Sequence, residues 1–564
     1  MKEGPLLGWV QEKLGNNGSA FKLEGDVLIC GAGAAGCLAA IGAVEHGCSD
    51  VIIVDKGRLE GCGCCGAGQD HFSAHLNSGP DWDSDDAATK WYSTPGWGVS
   101  PNLVEKTFTR HVGGMVNRLE SLGIEFFKDE GGSYYRTQAL GQPGPWWMMM
   151  KNGKYVKRKL AAKVRSLGVN VLDHVMIIRL LSEDNIVSGA VGLGTRSGNL
   201  YIISARTVIF AMGSHQSRWS TNSTGNPFNI WQNPANTGSN VIVGYDIGAK
   251  VKNLEMCVAT ILPKGFGAPA MNAFGGMNVD IVNALGESFM KQYHPLGPQA
   301  PRGSLISGFY EEAQKGKDPF FIDARHIPEK DMMHLINNLL SVDKDTFGDY
   351  LAHRRIDLRK DLLEVEIGEF SGGGNLLVDD DCQSNVKGLF GLPFSGMLST
   401  AMCGGYAVGA EAAEYAKKHS GYPRIQISLS KEDISEILAP LARSGSDCCT
   451  PREFADLIRQ IMRYYMGYVR NQRKMELALE KLRMVDEHVS RVMARNLHEL
   501  IRTHETAHLL RYCELMVQAS LAKKGVKGFY KRSDNVNRDK DDRFSPVVLW
   551  RSQGQSFTEL QVVR

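Results

Sequence analysis

The sequence lacks the features that would mark a secreted, membrane-spanning or nucleic-acid-binding chain. Twelve cysteines in 564 residues are too sparse for a disulfide framework, so they are expected as thiols, cofactor neighbours or ligands. No apolar run approaches the roughly 20 residues of a spanning helix. The opening stretch has no basic segment followed by an apolar one and a cleavage site, so it does not read as a secretory signal, and the cytoplasm is the expected compartment. Sixty-four Lys and Arg against 62 Asp and Glu leave a formal charge of +2, with no general bias toward nucleic acid or acidic membranes. No C-x-x-C cluster set is present, so an iron–sulfur centre would have to lie on another chain. What remains is globular composition, 43% hydrophobic and 22% charged, over a length that calls for roughly two to four domains.

The most informative stretch is residues 26–55, DVLICGAGAAGCLAAIGAVEHGCSDVIIVD. A buried strand runs into Gly31-Ala32-Gly33-Ala34-Ala35-Gly36, an apolar helix follows, and a second strand ends on Asp55. Gly31 permits the tight turn, Gly33 lets the backbone approach a pyrophosphate, and Gly36 lets helix and strand pack closely. The helix N-terminus faces the phosphates, and Asp55, about twenty residues on, is placed to hydrogen-bond a ribose diol. The glycine-rich loop at 56–72 continues this ligand wall through Lys56, Gly63, Cys64 and Gly68. Cys62, Cys64 and Cys65 do not supply the roughly four ligands of a metal site, and a disulfide at this spacing would be strained. They read as small thiols packed beside a ligand, with redox chemistry as the alternative.

Farther along, residues 101–122 have helical spacing, and 141–155 hold a cluster of Trp146, Trp147 and three methionines that reads as core or, alternatively, as a substrate or partner surface. A helix at 156–166 precedes a meander: strands at 171–181, 187–194 and 200–204, with a turn at 183–185. A buried strand returns at 207–213 and ends on Gly213. Residues 303–316 form a helix with Arg302 at its entrance, where a cation gains nothing from the helix dipole and needs another reason to be present. His353-Arg354-Arg355 and Arg359 form a second basic group, read as a solvated face or as a site. Strands at 376–378 and 388–392 precede an alanine-rich helix entered at 401–410. Its N-terminal amides, near Gly404 and Gly405, would stabilise negative charge on a bound ring. Residues 431–522 read as helical throughout, as in an antiparallel bundle. The tail adds an edge strand at 546–550, to this chain or to a partner.

The fingerprint, the meander, Ala211-Met212-Gly213, Asn236-Thr237-Gly238, Gly286-Glu287-Ser288-Phe289-Met290, Arg302, Gly372-Gly373-Gly374 and Gly388-Leu389-Phe390 together resemble the flavoprotein subunits of fumarate reductase and succinate dehydrogenase. The α subunit of adenylylsulfate reductase is a relative in the same superfamily, and the mixed-charge tail is similar to that superfamily's C-terminal Arg-x-Asp stretch. The resemblance implies an α/β fold: a Rossmann-like FAD-binding domain (1–244 and 366–425) with an inserted capping domain (245–365), a C-terminal helical domain (426–525) and a tail (526–564). It also implies FAD, an iron–sulfur partner subunit, and Arg302 facing the flavin as proton donor or anion clamp, with Glu311 and Glu312 as relay candidates.

The sequence departs from that pattern at several places. Covalent members carry a flavin-linking histidine where this chain has Gly63, which implies non-covalent FAD. The His-x-Thr segment that meets a substrate carboxylate is replaced by Cys257-Val258-Ala259-Thr260, and the second substrate histidine by Gly368 or Glu369. Both losses count against a C4 dicarboxylate. The flavin-side asparagine of adenylylsulfate reductases falls near Ser73, and an acidic residue common in the family falls at Phe394. The expectation is an FAD-dependent oxidoreductase with an altered substrate pocket. The alternative is a non-catalytic flavin subunit that relays electrons between redox proteins.

Overall fold

The computed structural model describes residues 20–93, 99–138, 141–213, 219–220, 224–230, 232–267, 274, 276–340, 346–368, 371–394, 396–420, 429–523, 530–534 and 546–560. The first strand among the described residues is β1 (Phe21–Cys30), whose last four residues are buried. It turns at Gly31, φ +97°, into helix α1 (Ala34–Glu45) and returns along β2 (Val51–Asp55). β1 and β2 are parallel, Val27 opposite Val51 and Cys30 opposite Val54, as a βαβ crossover requires. Nine of the twelve α1 residues are buried, because the helix is covered by the sheet on one side and by another helix on the other.

Next come β3 (His71–Ser73), β4 (Arg136–Thr137) and β5 (Trp147–Met149), which form a small sheet with β5 in the middle. The Trp-Met cluster is core on both sides. Trp146, Met148 and Met150 join the main core, while Trp147 and Met149 join a second one, as the two-residue period of a strand dictates.

Helix α2 (Val156–Ser166) leads to β6 (Asn170–Asp173) and β7 (Val175–Glu183). The single strand expected at 171–181 is therefore two, broken at His174, whose φ is +62°. β6 pairs parallel with β2, and β7 starts the meander. A two-residue turn at Asp184 and Asn185, both with positive φ, joins β7 to β8 (Ile186–Gly194), the geometry favoured in tight hairpins. β9 (Leu200–Phe210) is one continuous strand rather than two. It pairs antiparallel with β8 near its start and parallel with β1 along its length.

Helix α3 (Ser239–Asp246) leads into a four-stranded antiparallel sheet drawn entirely from residues 261–367. Its members are β10 (Ile261–Pro263), β11 (Asp280–Val282), β12 (Phe320–Asp323) and β13 (Leu363–Ile367), in the order β10-β13-β12-β11. Helix α4 (Arg302–Gln314) lies between β11 and β12 in the chain. The chain then re-enters the large sheet as β14 (Leu389–Gly391), parallel to the end of β9.

Helix α5 (Leu398–Lys418) follows and packs on α1 with backbone against backbone. A Cβ on Gly405 would lie 2.2 Å from the Ala35 carbonyl oxygen, one on Gly409 2.1 Å from that of Ala39, and one on Gly42 2.3 Å from that of Tyr406. Only glycine permits this approach.

The described α-helices that follow α5 are α6 (Lys431–Ala442), α7 (Pro451–Tyr465), α8 (Gln472–Asp486) and α9 (Leu497–Ala522). α7 opens with a Thr450–Glu453 capping box and proline in its first turn, the expected start signal. This region is not helical throughout. Val469–Arg470 forms a short strand against Lys531–Arg532. The tail strand, Val547–Ser552, pairs within the chain, with Val251–Lys252 and with Gln555–Leu560.

The α1–α5 contact predicts that Gly405→Ala forces the helices apart and destabilises the protein by about 1–3 kcal/mol. Gly114→Ala, in a helix where the added methyl meets nothing within 4 Å, should gain up to about 1 kcal/mol. Thermal unfolding midpoints moving in opposite directions would bear this out, and equal shifts would refute it.

Candidate functional site

A cavity of about 1340 Å³ opens at the carboxyl ends of β1, β2 and β9, the position where open α/β sheets bind ligands, and continues to Arg302, Leu339, Leu340 and Phe347. At its inner end lie Gly31, Gly33, Ala34 and Ala35. Gly33 caps α1 without a side-chain hydrogen bond, and the first turn has no acidic residue. The first amides of α1 are thus left for an anion. Gly36 does not line the cavity: a Cβ there would lie 1.9 Å from the Gly31 carbonyl oxygen, so its role is the tightness of the turn.

Asp55 also lines this end. Its Oδ2 accepts from the Ala32 amide at 2.8 Å and its Oδ1 from that of Gly57 at 2.7 Å, which leaves each oxygen a further lone pair. Lys56 donates to the Ala235 carbonyl and, at 2.7 Å, to Glu505 of α9. Burial opposes charge on Glu505, yet Lys56 and Arg502 hold its carboxyl below the usual range. The charge of Lys56 is therefore spent on tying the first βαβ unit to the long helix.

The glycine-rich loop closes over the fingerprint. Gly63, φ +75°, sits so near Gly33 that a Cβ would lie 2.9 Å from the Gly33 Cα. Gly68 also has positive φ and lines the cavity. Cys62 donates to the Ala32 carbonyl at 3.1 Å and Cys37 to the same oxygen at 3.5 Å. Beneath them the buried Lys157 ammonium donates to Cys37 Sγ at 3.4 Å and to the Leu59 carbonyl. Burial pushes the Cys65 thiol up to about 12 and that of Cys62 further. Cys64 differs from both: it is exposed and donates to Gln232 Oε1 at 3.1 Å.

Gly213, φ +84°, ends the run from β9 and lines the cavity. Gly404 and Gly405 do not. They sit on the second turn of α5, where Gly404 meets Leu392 and Gly405 meets α1. The helix begins earlier than its alanine-rich run suggests, so its N-terminal cavity residues are Gly396, Met397 and Leu398.

The cavity is also walled by Arg302, the first residue of α4, with Asp70, His71, Gln142 and Trp147. Burial lowers the Arg302 guanidinium to about 10, opposed by the nearby charge of Asp70. β3 pairs with β5 so that His71 opposes Met149 and Ser73 opposes Trp147. The His71 ring stacks on the Trp147 indole, centroids 4.0 Å apart and planes 23° from parallel. His71 Nδ1 lies 2.7 Å from Asp70 Oδ1. Trp147 Nε1 and Gln142 Oε1 are buried without a partner among the described residues, and both residues line the cavity. Orphans of this kind mark where a ligand or water completes the site.

Glu311 and Glu312 do not join Arg302. Glu311 pairs with Lys531. Glu312 is held at 2.6 Å by Tyr293, at 2.8 Å by Lys315 and at 3.1 Å by Asn283. Cys257 lines the cavity, but its sulfur accepts from the buried Arg470 at 2.8 Å. Gly368 packs on Leu262, and Glu369 lies outside the described residues. Phe394 and Ser73 are buried. The basic group at 353–355 is exposed and does not line the cavity. Sequence reasoning missed Asp70, His71 and Gln142, and offered Trp147 only within a cluster read as core or as a substrate or partner surface. The one available signal was an Asp-His pair where the glycine-rich loop enters a strand.

Comparison with known proteins gives a concordant picture. A family model described as FAD binding domain matches residues 26–389, and one described as fumarate reductase flavoprotein C-term matches 455–563. The chain is 24% identical over 548 residues to a fumarate reductase (CoM/CoB) subunit of Methanothermobacter marburgensis, covering 91% of this chain and 94% of that one. It is 22% identical over 578 residues to the fumarate reductase flavoprotein subunit of Escherichia coli, covering 92% and 90%. Adenylylsulfate reductase from Archaeoglobus fulgidus superposes with a TM-score of 0.86 over 97% of both chains at 21% identity, which shows a shared fold.

The thiol environments predict that iodoacetamide at neutral pH labels Cys64 at least about tenfold faster than Cys62 or Cys65, because only an accessible thiolate reacts. Peptide mass spectrometry after a short exposure reads this out. Equal labelling of all three in folded protein would contradict it.

Proposed function

The chain belongs to the FAD-binding family whose model spans residues 26–389 and is an FAD-dependent oxidoreductase, and on that footing we propose that it is the catalytic subunit of an enzyme that exchanges an electron pair with a small anionic substrate. The observation that carries this reading is the continuity of the cavity from the α1 N-terminus to Arg302, Asp70 and His71. Its volume exceeds the ~300–1,000 Å³ of an ordinary ligand site and suits a dinucleotide plus a substrate.

The residues present fit FAD. Gly31, Gly33, Ala34 and Ala35, with the uncapped amides of α1, would hold its diphosphate, and Asp55 its ribose. When bound, FAD supplies a reversible two-electron store. Arg302, protonated at neutral pH, clamps a negative charge. Gly63 leaves no room for a side chain against Gly33, which supports non-covalent attachment. Cys257 is committed to Arg470 and Gly368 to packing, so neither offers the cationic donors that a C4 dicarboxylate would need. We therefore place the substrate outside that class. Several relatives are named as subunits of larger enzymes, which supports electron exchange with a partner chain, by this reading an iron–sulfur protein. A pure electron relay gives no reason for a closed end walled by a cation, a carboxylate and an imidazole.

Two outcomes are expected. Acid precipitation should release all yellow colour as free FAD; flavin retained in the washed pellet would overturn non-covalent attachment. With reduced viologen as donor and a panel of small carboxylates and sulfur oxyanions, wild-type protein should turn over at least one. Arg302→Gln should bind FAD and accept electrons from dithionite normally yet lose at least about a hundredfold in that turnover. Near-normal turnover would remove Arg302 from the site.

A further inference from the structure

Any two-electron reduction written Ox + 2 e⁻ + 2 H⁺ → RedH₂ needs two protons. One can travel with the electron pair, but the second must come from a protein group that reaches the substrate. Arg302 is a poor source: at about 10 its guanidinium sits roughly three pH units above neutrality and holds its proton. Glu311 and Glu312 are engaged elsewhere. The imidazole that lines the same end of the cavity is differently placed.

His71 is set as proton-transfer groups are set. The Asp70 carboxylate at 2.7 Å assigns the proton of the neutral ring to Nδ1 and leaves Nε2 as the atom that gains and loses a proton. The Trp147 stack fixes the ring plane. His71 Nε2 has no protein partner among the described residues and is not sealed from the cavity. The indole N–H of that same Trp147 is buried and unpartnered among the described residues.

We propose that the Asp70–His71 pair is the acid–base group of the substrate half-reaction, with Arg302 as the anion clamp. In the reducing direction the Nε2–H bond of the imidazolium breaks and an X–H bond forms on the substrate. The N–H bonding pair stays on Nε2, and Asp70 keeps its hold on Nδ1–H. The electron pair and the other proton come from the two-electron-reduced FAD that the enzyme already uses. Oxidation runs the same transfers backward, with Nε2 taking the proton. The proposal rests on the anionic-substrate reading and narrows it to substrates whose reduction adds a proton at an atom within reach of His71.

The test uses oxalate as a probe anion on FAD-loaded protein, with binding followed by the change in flavin absorbance across the titration range of histidine. A charged imidazolium adds to the pull of Arg302, so wild-type affinity should rise toward low pH, by up to about tenfold per unit. His71→Gln should bind oxalate with a flat profile. A wild-type slope retained in His71→Gln overturns the proposal while leaving the anion pocket intact. Failure of oxalate to bind wild-type protein overturns both. With the panel substrate, His71→Gln should keep its FAD and its reduction by dithionite but lose about a hundred- to ten-thousandfold in turnover. Turnover within tenfold of wild type would also overturn it.

Discussion

Helices α1 and α5 touch backbone to backbone, and the rest of the site depends on that contact. Residues 405 and 409 of one helix and 42 of the other are glycines because any Cβ would fall within about 2.3 Å of a facing carbonyl oxygen. This is closer than the ordinary helix separation of about 8–10 Å. Here the first turn of α1 and residues 396–398 before and at the start of α5 line the same space. Two positive helix ends thus converge on one space, an arrangement that favours an anionic ligand. The closest approaches fall at glycines, and Tyr406 of α5 adds a hydrogen bond at 2.9 Å to Glu45 of α1.

A second constraint joins that chamber to its roof. β5 is three residues long, yet its alternate side chains serve different cores: Met148 packs into the nucleotide-binding core, and Trp147 and Met149 into the core of the 261–367 sheet. The strand is a rigid hinge plate shared by both. His71 hangs on its neighbour β3, stacked against Trp147, so the imidazole is positioned by the junction itself and not by a loop. Arg302 approaches from the other side on the first turn of α4. Groups from three separated stretches of sequence therefore meet at the roof of one cavity.

Buried charge shows how the chain holds this arrangement. Lys56, Glu505 and Arg502 form a network that ties the first βαβ unit to α9, a buried linkage in which loss of one partner strands the others. Arg470 is fully buried and bonds to the Glu255 carbonyl, to Ser520 and to Cys257, which fixes the strand carrying Cys257. Among the described residues, Lys157 hydrogen-bonds the Cys37 thiol and the Leu59 carbonyl beneath the glycine-rich loop. An ammonium in such surroundings favours an anion above it, and the loop it supports is the one that closes on the fingerprint.

The sequence alone determined the fold class and the βαβ unit at one end of the cavity. Gly31, Gly33 and Asp55 act within one contiguous βαβ unit, where local spacing fixes geometry, and the Thr450–Glu453 cap or the Asp184–Asn185 turn is legible for the same reason. It also carried the superfamily resemblance, because a fingerprint and its flanking glycines keep their order along the chain. What depends on contacts between distant segments is not legible in this way. Gly404 and Gly405 read as ligand wall but serve helix packing, since only the tertiary structure shows which face of α5 meets α1. His174 splits a strand through a single positive φ that no hydrophobic pattern encodes. Glu311 and Glu312 lie near Arg302 in sequence, yet a helix turns them toward other partners. The meeting of Asp70, His71, Trp147 and Arg302 was decided by tertiary structure alone, since a pairing of β3 with β5 and a sheet inserted some two hundred residues later must both form before those side chains share a wall.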